Sequence, residues 1–242
     1  MKKNIVAIIG SLNESSKTEI IIERVLHKLN ILDRDYNIKF IRLKEYNINY
    51  CKGCQKCFCS GYCKLDLVDE MSKIRYELKN ANIIIFSSPV YGNNVSGIMK
   101  TIIDRLMYET HILSFAGKLG FTISTTDASG GEEINKYLKD IMQNLGIKIL
   151  SKYTITLEEI YNKGFEDLTY RIAFDIKDKL ANNIGYSNIF LEETFKMYKR
   201  INKYRKNEYI KNEIEYWNRN WILETYSFQE YAKKMLHINS KL

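Results

Sequence analysis

Residues 82–97 read NIIIFSSPVYGNNVSG, and this stretch decides the fold. The apolar run Ile83, Ile84, Ile85 and Phe86 suits a strand covered on both faces, the condition of an interior strand in a parallel sheet. Ser87 and Ser88 lead to Pro89, the only proline in the chain, which rigidifies the turn. Gly92, Asn93 and Asn94 supply conformational freedom and backbone donors. Helical periodicity follows at once over residues 96–108, with Ile98, Met99, Ile102, Ile103 and Leu106 on one face. A buried strand, a glycine-bearing loop and an amphipathic helix make one βα unit.

The same unit recurs on either side. Continuous or alternating apolar patterns predict strands over residues 4–9, 37–43, 82–87, 119–124 and 147–156, with helices over 16–30, 68–79, 96–108, 132–144 and 167–182. Ser16 and Glu19 have the spacing of a capping box. Strand alternating with helix five times implies a parallel sheet covered on both faces, and right-handed crossovers make it doubly wound. Gly185 then breaks the pattern, and residues 185–242 read as helical throughout. The expected organisation is an α/β domain over 1–184 with a helical C-terminal extension over 185–242. Two apolar stripes mark the extension: Leu191, Phe195, Tyr198 and Ile201, then Ile210, Ile214, Trp217 and Trp221.

A chain of 242 residues with 45% hydrophobic content can bury a real core, which excludes a disordered protein. The N-terminal run MKKNIVAIIG is too short for a signal-peptide core, and no apolar stretch reaches the roughly 18 residues of a membrane span. The expectation is a soluble cytoplasmic protein with no membrane partner. The net charge of +8 is spread along the chain, with one concentration of seven basic residues and one acid over 196–211. Tyr198, Tyr204 and Tyr209 are interleaved there. Basic plus aromatic character can mark a nucleic-acid surface, but the wet face of an amphipathic helix is the preferred reading, so no nucleic-acid partner is expected. Tryptophans on the apolar stripe favour an interface, and a homodimer or tetramer is expected.

In an open parallel sheet, ligands bind beyond the carboxyl ends of the strands where the strand order reverses. Three loops there carry the chemistry. Residues 10–18, GSLNESSKT, surround a helix N-terminus with hydroxyls, a setting for an anion such as a phosphate. The loop lacks the glycines of both the P-loop and the dinucleotide fingerprint, which suits a terminal monophosphate. Residues 87–97 place Tyr91 as a flat face for stacking. Residues 124–131, STTDASGG, add hydroxyls and two glycines. Together the loops fit a phosphorylated flat heterocycle.

These segments resemble the NAD(P)H-dependent FMN reductases of flavodoxin-like fold, and in particular their iron–sulfur flavoprotein branch. The residues that carry the resemblance are Gly10-Ser11 with Ser16–Thr18, CKGCQKC…GYC, Asp69-Glu70-Met71, and SSPVYGNNVSGIMKTIIDR ending at Asp104-Arg105, within roughly residues 1–155. The resemblance implies a five-stranded sheet in the order 2-1-3-4-5. It implies that Ser11, Ser16, Lys17 and Thr18, with Asn13 in the same loop, bind the FMN phosphate. Pro89, Val90, Tyr91, Gly92 and Asn93 would lie against the isoalloxazine, with Thr125 and Thr126 on its other side. Leu12, Asn13 and Ser16 replace the proline, arginine and glycine usual in the family loop, so Lys17 is the candidate substitute for the missing cation.

All five cysteines lie within residues 51–63. That spread is wrong for a secreted disulfide framework. Cys51, Cys54, Cys57 and Cys63 have the spacing C-x2-C-x2-C-x5-C, and Gly53 and Gly61 let the backbone wrap. Four thiolates suit a [4Fe–4S] cluster or a structural zinc, and metal-free thiols stay open beside them. Cys59 is set aside as the non-ligand, on the expectation that a locally extended loop points it away. The histidines are scattered, and Asp104 with Arg105 reads as an ion pair anchoring a helix end. Asp66, Asp69 and Glu70 are expected to open the following helix, where acids suit the dipole. The leading expectation is an FMN oxidoreductase that takes hydride from NAD(P)H and passes electrons to a small-molecule or protein acceptor. The rival is an electron carrier or redox sensor without turnover, and no protein acid or base is named as catalytic. The resemblance also implies that cluster and flavin meet across subunits.

Overall fold

The computed structural model describes residues 2–161 and 164–239. Among them, β1 (Lys3–Ile9), β2 (Tyr36–Arg42), β3 (Ile83–Pro89), β4 (Leu119–Thr126) and β5 (Lys148–Thr156) form one sheet in the order β2-β1-β3-β4-β5. Each of these pairings is parallel. The flavodoxin-like topology expected from the sequence is therefore present. The order reverses between β1 and β3, and this is the switch point at which a crevice opens.

Each strand feeds two cores because its side chains alternate. From β1, Ile5, Ala7 and Ile9 pack under α1 (Lys17–Leu32) and α8 (Phe165–Ala181), meeting Ile21, Val25 and Ile176. Val6 and Ile8 face the other way, toward α3 (Met71–Asn80), α4 (Gly97–Arg105) and α6 (Gly131–Asn144), where Ile74, Ile102 and Leu138 meet them. Each of these side chains is essentially solvent-free, a burial worth about 1.5–3 kcal/mol for each valine, isoleucine or leucine. Lys118, buried at the entry to β4, donates from Nζ to the carbonyls of Lys79 (2.7 Å) and Ala81 (2.5 Å), so an ammonium caps the end of α3.

Several expected details are corrected. The capping box is half formed: Ser16 Oγ accepts the Glu19 N–H at 3.2 Å, but the Glu19 carboxylate is drawn away by Arg42 and Lys44. The helix expected over 96–108 breaks at Leu106, which ends α4 and precedes a short α5 (Met107–His111). The helix after the cysteines starts at Met71, behind a 3-10 turn at Lys64–Leu67.

The extension contains α9 (Ile189–Tyr204), α10 (Lys211–Trp217), α11 (Asn220–Leu223) and α12 (Phe228–Asn239). Its apolar side closes on the chain's own α5 and the turn after it. Leu191, Phe195, Trp217, Phe228 and Tyr231 surround Tyr108, Ile112, Leu113 and Ala116. The buried polar ends find partners: Trp217 Nε1 donates to the His111 carbonyl at 2.9 Å, and the Tyr231 hydroxyl to that of Ile112 at 2.7 Å. Ile201, expected on the first stripe, is exposed. The second stripe is not one helix: Ile214 and Trp217 lie on α10, Trp221 on α11, and Ile210 closes a 3-10 turn. Part of the basic cluster is used internally, since Lys199 Nζ donates to the carbonyls of Leu223 (2.7 Å) and Thr225 (2.6 Å). No helix among the described residues is long and apolar enough to cross a membrane.

Candidate functional site

A cleft of about 250 Å³ opens at the carboxyl ends of β1, β3 and β4. Ten of the twelve residues expected to hold the flavin line it: Ser11, Asn13, Ser16, Lys17, Thr18, Pro89, Val90, Tyr91, Thr125 and Thr126. Gly92 and Asn93 do not line it; they shape its rim. Both have positive φ (56° and 58°), and they let Tyr91 and Asn94 exchange backbone hydrogen bonds of 2.9 and 3.1 Å. Asp127 and Leu157 also line the cleft and were not anticipated. Asp127 directly follows the two threonines, so its position was available to sequence reasoning. Leu157 opens α7 (Leu157–Tyr161), a short helix that no strong periodicity announces.

The loops are fixed to one another before any ligand arrives. Gly10 N–H donates to Ser87 O (2.8 Å), and Val90 N–H to Thr125 O (2.9 Å). The Thr18 and Thr125 hydroxyls share a hydrogen bond of 2.6 Å, joining the first loop to the third. Ser96 accepts the Met99 N–H as the cap of α4 and donates to the Gly10 carbonyl at 2.6 Å. Within the first loop, Asn13 Oδ1 accepts the Ser15 N–H (2.9 Å), an Asx turn that delivers the chain to the Ser16 cap. The N-terminus of α1 thus borders the cleft with its dipole favouring an anion. Lys17 lies over the Tyr161 ring at 4.7 Å, keeping one cation on the same rim. Tyr91 is about half exposed, and its ring is free to cover a flat ligand. Hydroxyls, a helix N-terminus, one lysine and an exposed aromatic face fit the phosphate and ring of FMN.

The cysteine loop follows β2. Gly53 (φ 62°) and Gln55 (φ 56°) turn the chain into α2 (Lys56–Ser60), and Gly61 (φ 78°) ends it. Cys51, Cys54 and Cys59 are exposed, while Cys57 and Cys63 are partly buried, and all five are free thiols. Burial pushes the Cys57 thiol above the usual range, and the thiols of Cys63, Cys51 and Cys54 add to the effect. Among the described residues, however, no three His, Cys, Asp or Glu side chains converge on a point that a single ion could occupy. The expected reason for excluding Cys59 is corrected. The segment is helical, and two residues along a helix differ by about 200° in direction, whereas an extended chain would have turned Cys57 and Cys59 the same way.

The acids after the loop do more than complement a dipole. Asp69 accepts the Met71 N–H at 3.0 Å, but both of its oxygens are also bound by Arg105. Asp104 pairs with Lys100 instead. Burial would raise the Asp69 carboxyl, yet Arg105 and the N–H groups of Met71 and Asn49 hold it below its ordinary value.

A family model described as NADPH-dependent FMN reductase matches residues 3–162. The chain belongs to the NADPH-dependent FMN reductase family. Like that family, it is an NAD(P)H-dependent FMN oxidoreductase. An iron–sulfur flavoprotein of Archaeoglobus fulgidus is 26% identical over 216 residues, covering 88% of this chain and 96% of that protein. Another iron–sulfur flavoprotein of the same organism is 35% identical over 101 residues, covering 42% of this chain and 47% of that one. An iron–sulfur flavoprotein of Clostridioides difficile is 26% identical over 142 residues, covering 59% of this chain and 62% of its own length. Among solved structures, an apo NADH:FMN oxidoreductase superposes with a TM-score of 0.54 at 18% identity, over 74% of this chain and 90% of that one. RosB with a bound formylriboflavin phosphate intermediate superposes with a TM-score of 0.56 at 11% identity, over 99% of this chain and 88% of that one. At these identities the structural likeness speaks for the fold alone.

Proposed function

We propose that this FMN reductase holds FMN in the cleft at the switch point and passes its electrons to an acceptor through a [4Fe–4S] cluster on Cys51, Cys54, Cys57 and Cys63. The observation that carries the reading is the cleft itself, which gathers residues from three loops at the carboxyl edge of the sheet. Ser11, Asn13, Ser16, Thr18 and Lys17 surround the phosphate, with the N-terminus of α1 supplying partial positive charge. Pro89, Val90 and Tyr91 cover one side of the ring, and Thr125 and Thr126 the other. FMN supplies the hydride-accepting atom and the ability to release electrons singly or in pairs. The protein's own part is to bind, orient and shield.

The cluster reading is supported by the chemistry of the donor set. Four cysteines in the spacing C-x2-C-x2-C-x5-C, wrapped by Gly53 and Gly61, supply the number and type of donors that a [4Fe–4S] cluster takes. The names of the curated relatives point the same way. The setting is cytoplasmic, where thiols stay reduced. The unit is a homodimer or tetramer: Leu12, Tyr50, Leu67, Val68 and Tyr91 are all half or more exposed around the two redox loops, a pattern that marks an interaction surface.

Anaerobic purification tests the whole reading. Flavin bands with a broad iron–sulfur shoulder, about four iron atoms per chain, and bleaching on mixing with NADH or NADPH are expected. A yellow protein without iron would retire the cluster. A flavin that neither nucleotide reduces would turn the reading toward an electron carrier.

A further inference from the structure

Arg105 lies at the last position of α4, with its side chain fully buried. Its guanidinium joins the two ends of the cysteine loop. On the near side, Nη1 donates to the Asn49 carbonyl at 2.8 Å. On the far side, Nη1 and Nη2 both reach the Asp69 carboxylate, and Nη2 also bonds Asp66. Asp69 closes the ring by accepting the Asn49 N–H at 3.1 Å. Arg75 backs the arrangement, donating to Asp66 at 2.8 Å and to the Arg105 carbonyl. All five cysteines fall inside the loop that this knot closes.

The other end of α4 is anchored at the flavin cleft. Its cap, Ser96, donates to the Gly10 carbonyl and takes the Ser88 hydroxyl as acceptor of its own N–H at 3.0 Å. A helix of nine residues therefore runs from the cleft to the knot, a rigid span of about 13 Å at 1.5 Å per residue. A buried ion network is a poor source of stability, because desolvation offsets most of its attraction. What it does well is fix one geometry, since a bidentate fork accepts few alternatives.

We propose that Arg105 is a positioning residue for the redox chemistry: by tying Asn49 to Asp66 and Asp69 it closes the cysteine loop and hangs it on α4, so that the thiols keep one separation from the flavin cleft. The proposal rests on the reading of the cleft and loop given above. It joins one residue from each of two sequence fragments that the flavin site does not use, Asp69 of Asp69-Glu70-Met71 and Arg105 of Asp104-Arg105.

The test uses full-length R105Q and D69N beside the wild type, each reconstituted anaerobically with iron and sulfide. FMN affinity should stay within about twofold of wild type in both variants. Iron per chain should fall at least threefold, and amide hydrogen exchange should accelerate at least tenfold over residues 49–69 while residues 10–18 and 87–97 keep their protection. D69N leaves Arg105 in place and decides alone if R105Q is insoluble. Wild-type iron together with unchanged exchange over the loop overturns the proposal. So does loss of FMN in step with iron, which would make Arg105 a plain support of the fold. If the wild type itself takes up no iron, the cluster reading fails separately, and the exchange measurement alone decides: release of the loop upholds the proposal, and unchanged protection overturns it.

Discussion

At the scale of single residues, Ser16 and Lys17 test the phosphate end of the proposed FMN site. Ser16 caps α1 through Glu19 N–H, so S16A is expected to cost about 1 kcal/mol of stability, read as a lower urea midpoint at unchanged slope. K17A removes the one cation lining the cleft among the described residues. FMN should bind about tenfold more weakly, which is about 1.4 kcal/mol, and the affinity of the variant should respond less to salt. Asp69 gives a pH signature. Its folded-state carboxyl lies below the ordinary value because Arg105 and two backbone N–H groups overcome the opposing burial. Such a group adds stability above its unfolded pKa, about 3.9, and loses that contribution as pH falls through the folded value. Wild-type stability should therefore drop below about pH 4, and D69N should drop less over the same window in urea titrations at stepped pH.

Elements explain what the sequence could and could not reveal. Period-two and period-3.6 patterns located all five strands and the helices over them, because each face of this sheet is buried and therefore apolar. The same logic picked out the cleft loops, since a parallel sheet admits ligands at one edge only. The departures come from long-range partners that no local window contains. Glu19 left its capping box for Arg42 and Lys44, and Asp69 answered to a residue 36 positions away. The helical turn at Cys57 rests on contact with α5, where Phe58 meets the His111 ring edge-on at 4.7 Å, and with the extension, where an added Gly61 Cβ would stand 2.8 Å from Asn212. Gly10 shows how tightly the first βα junction is drawn. A Cβ there would lie 2.8 Å from the Ser87 carbonyl and 2.9 Å from Met99. G10A should push β1 away from β3, cost about 1–3 kcal/mol, and weaken FMN binding, as measured by calorimetric titration and thermal melts.

Over the whole molecule, the extension is a third core that borrows α5 and its turn from the α/β domain. Trp217 stands at its centre, almost fully buried against Phe195, Tyr198 and Tyr231. W217A should cost about 3–5 kcal/mol and, because Cys57 and Phe58 pack on the same cluster, should loosen the cysteine loop along with the helices. The stripe that suggested a partner is thus largely covered within one chain, with Ile201 left exposed, and the proposed oligomer would rest on the exposed residues around the redox loops. Light scattering checks this: a dimer or tetramer that survives high salt is expected, and a monomer would remove that part of the reading. The chain's two tryptophans both belong to the extension, and Trp221 stacks flat on Tyr231 at 5.7 Å. The α/β domain consequently contributes no indole emission of its own, while a flavin held in the cleft would report on that domain. Flavin-loaded protein would therefore carry one optical label in each part of the fold, and a single denaturation followed in both channels would tell, from coincident or staggered curves, whether extension and α/β domain melt as one cooperative body.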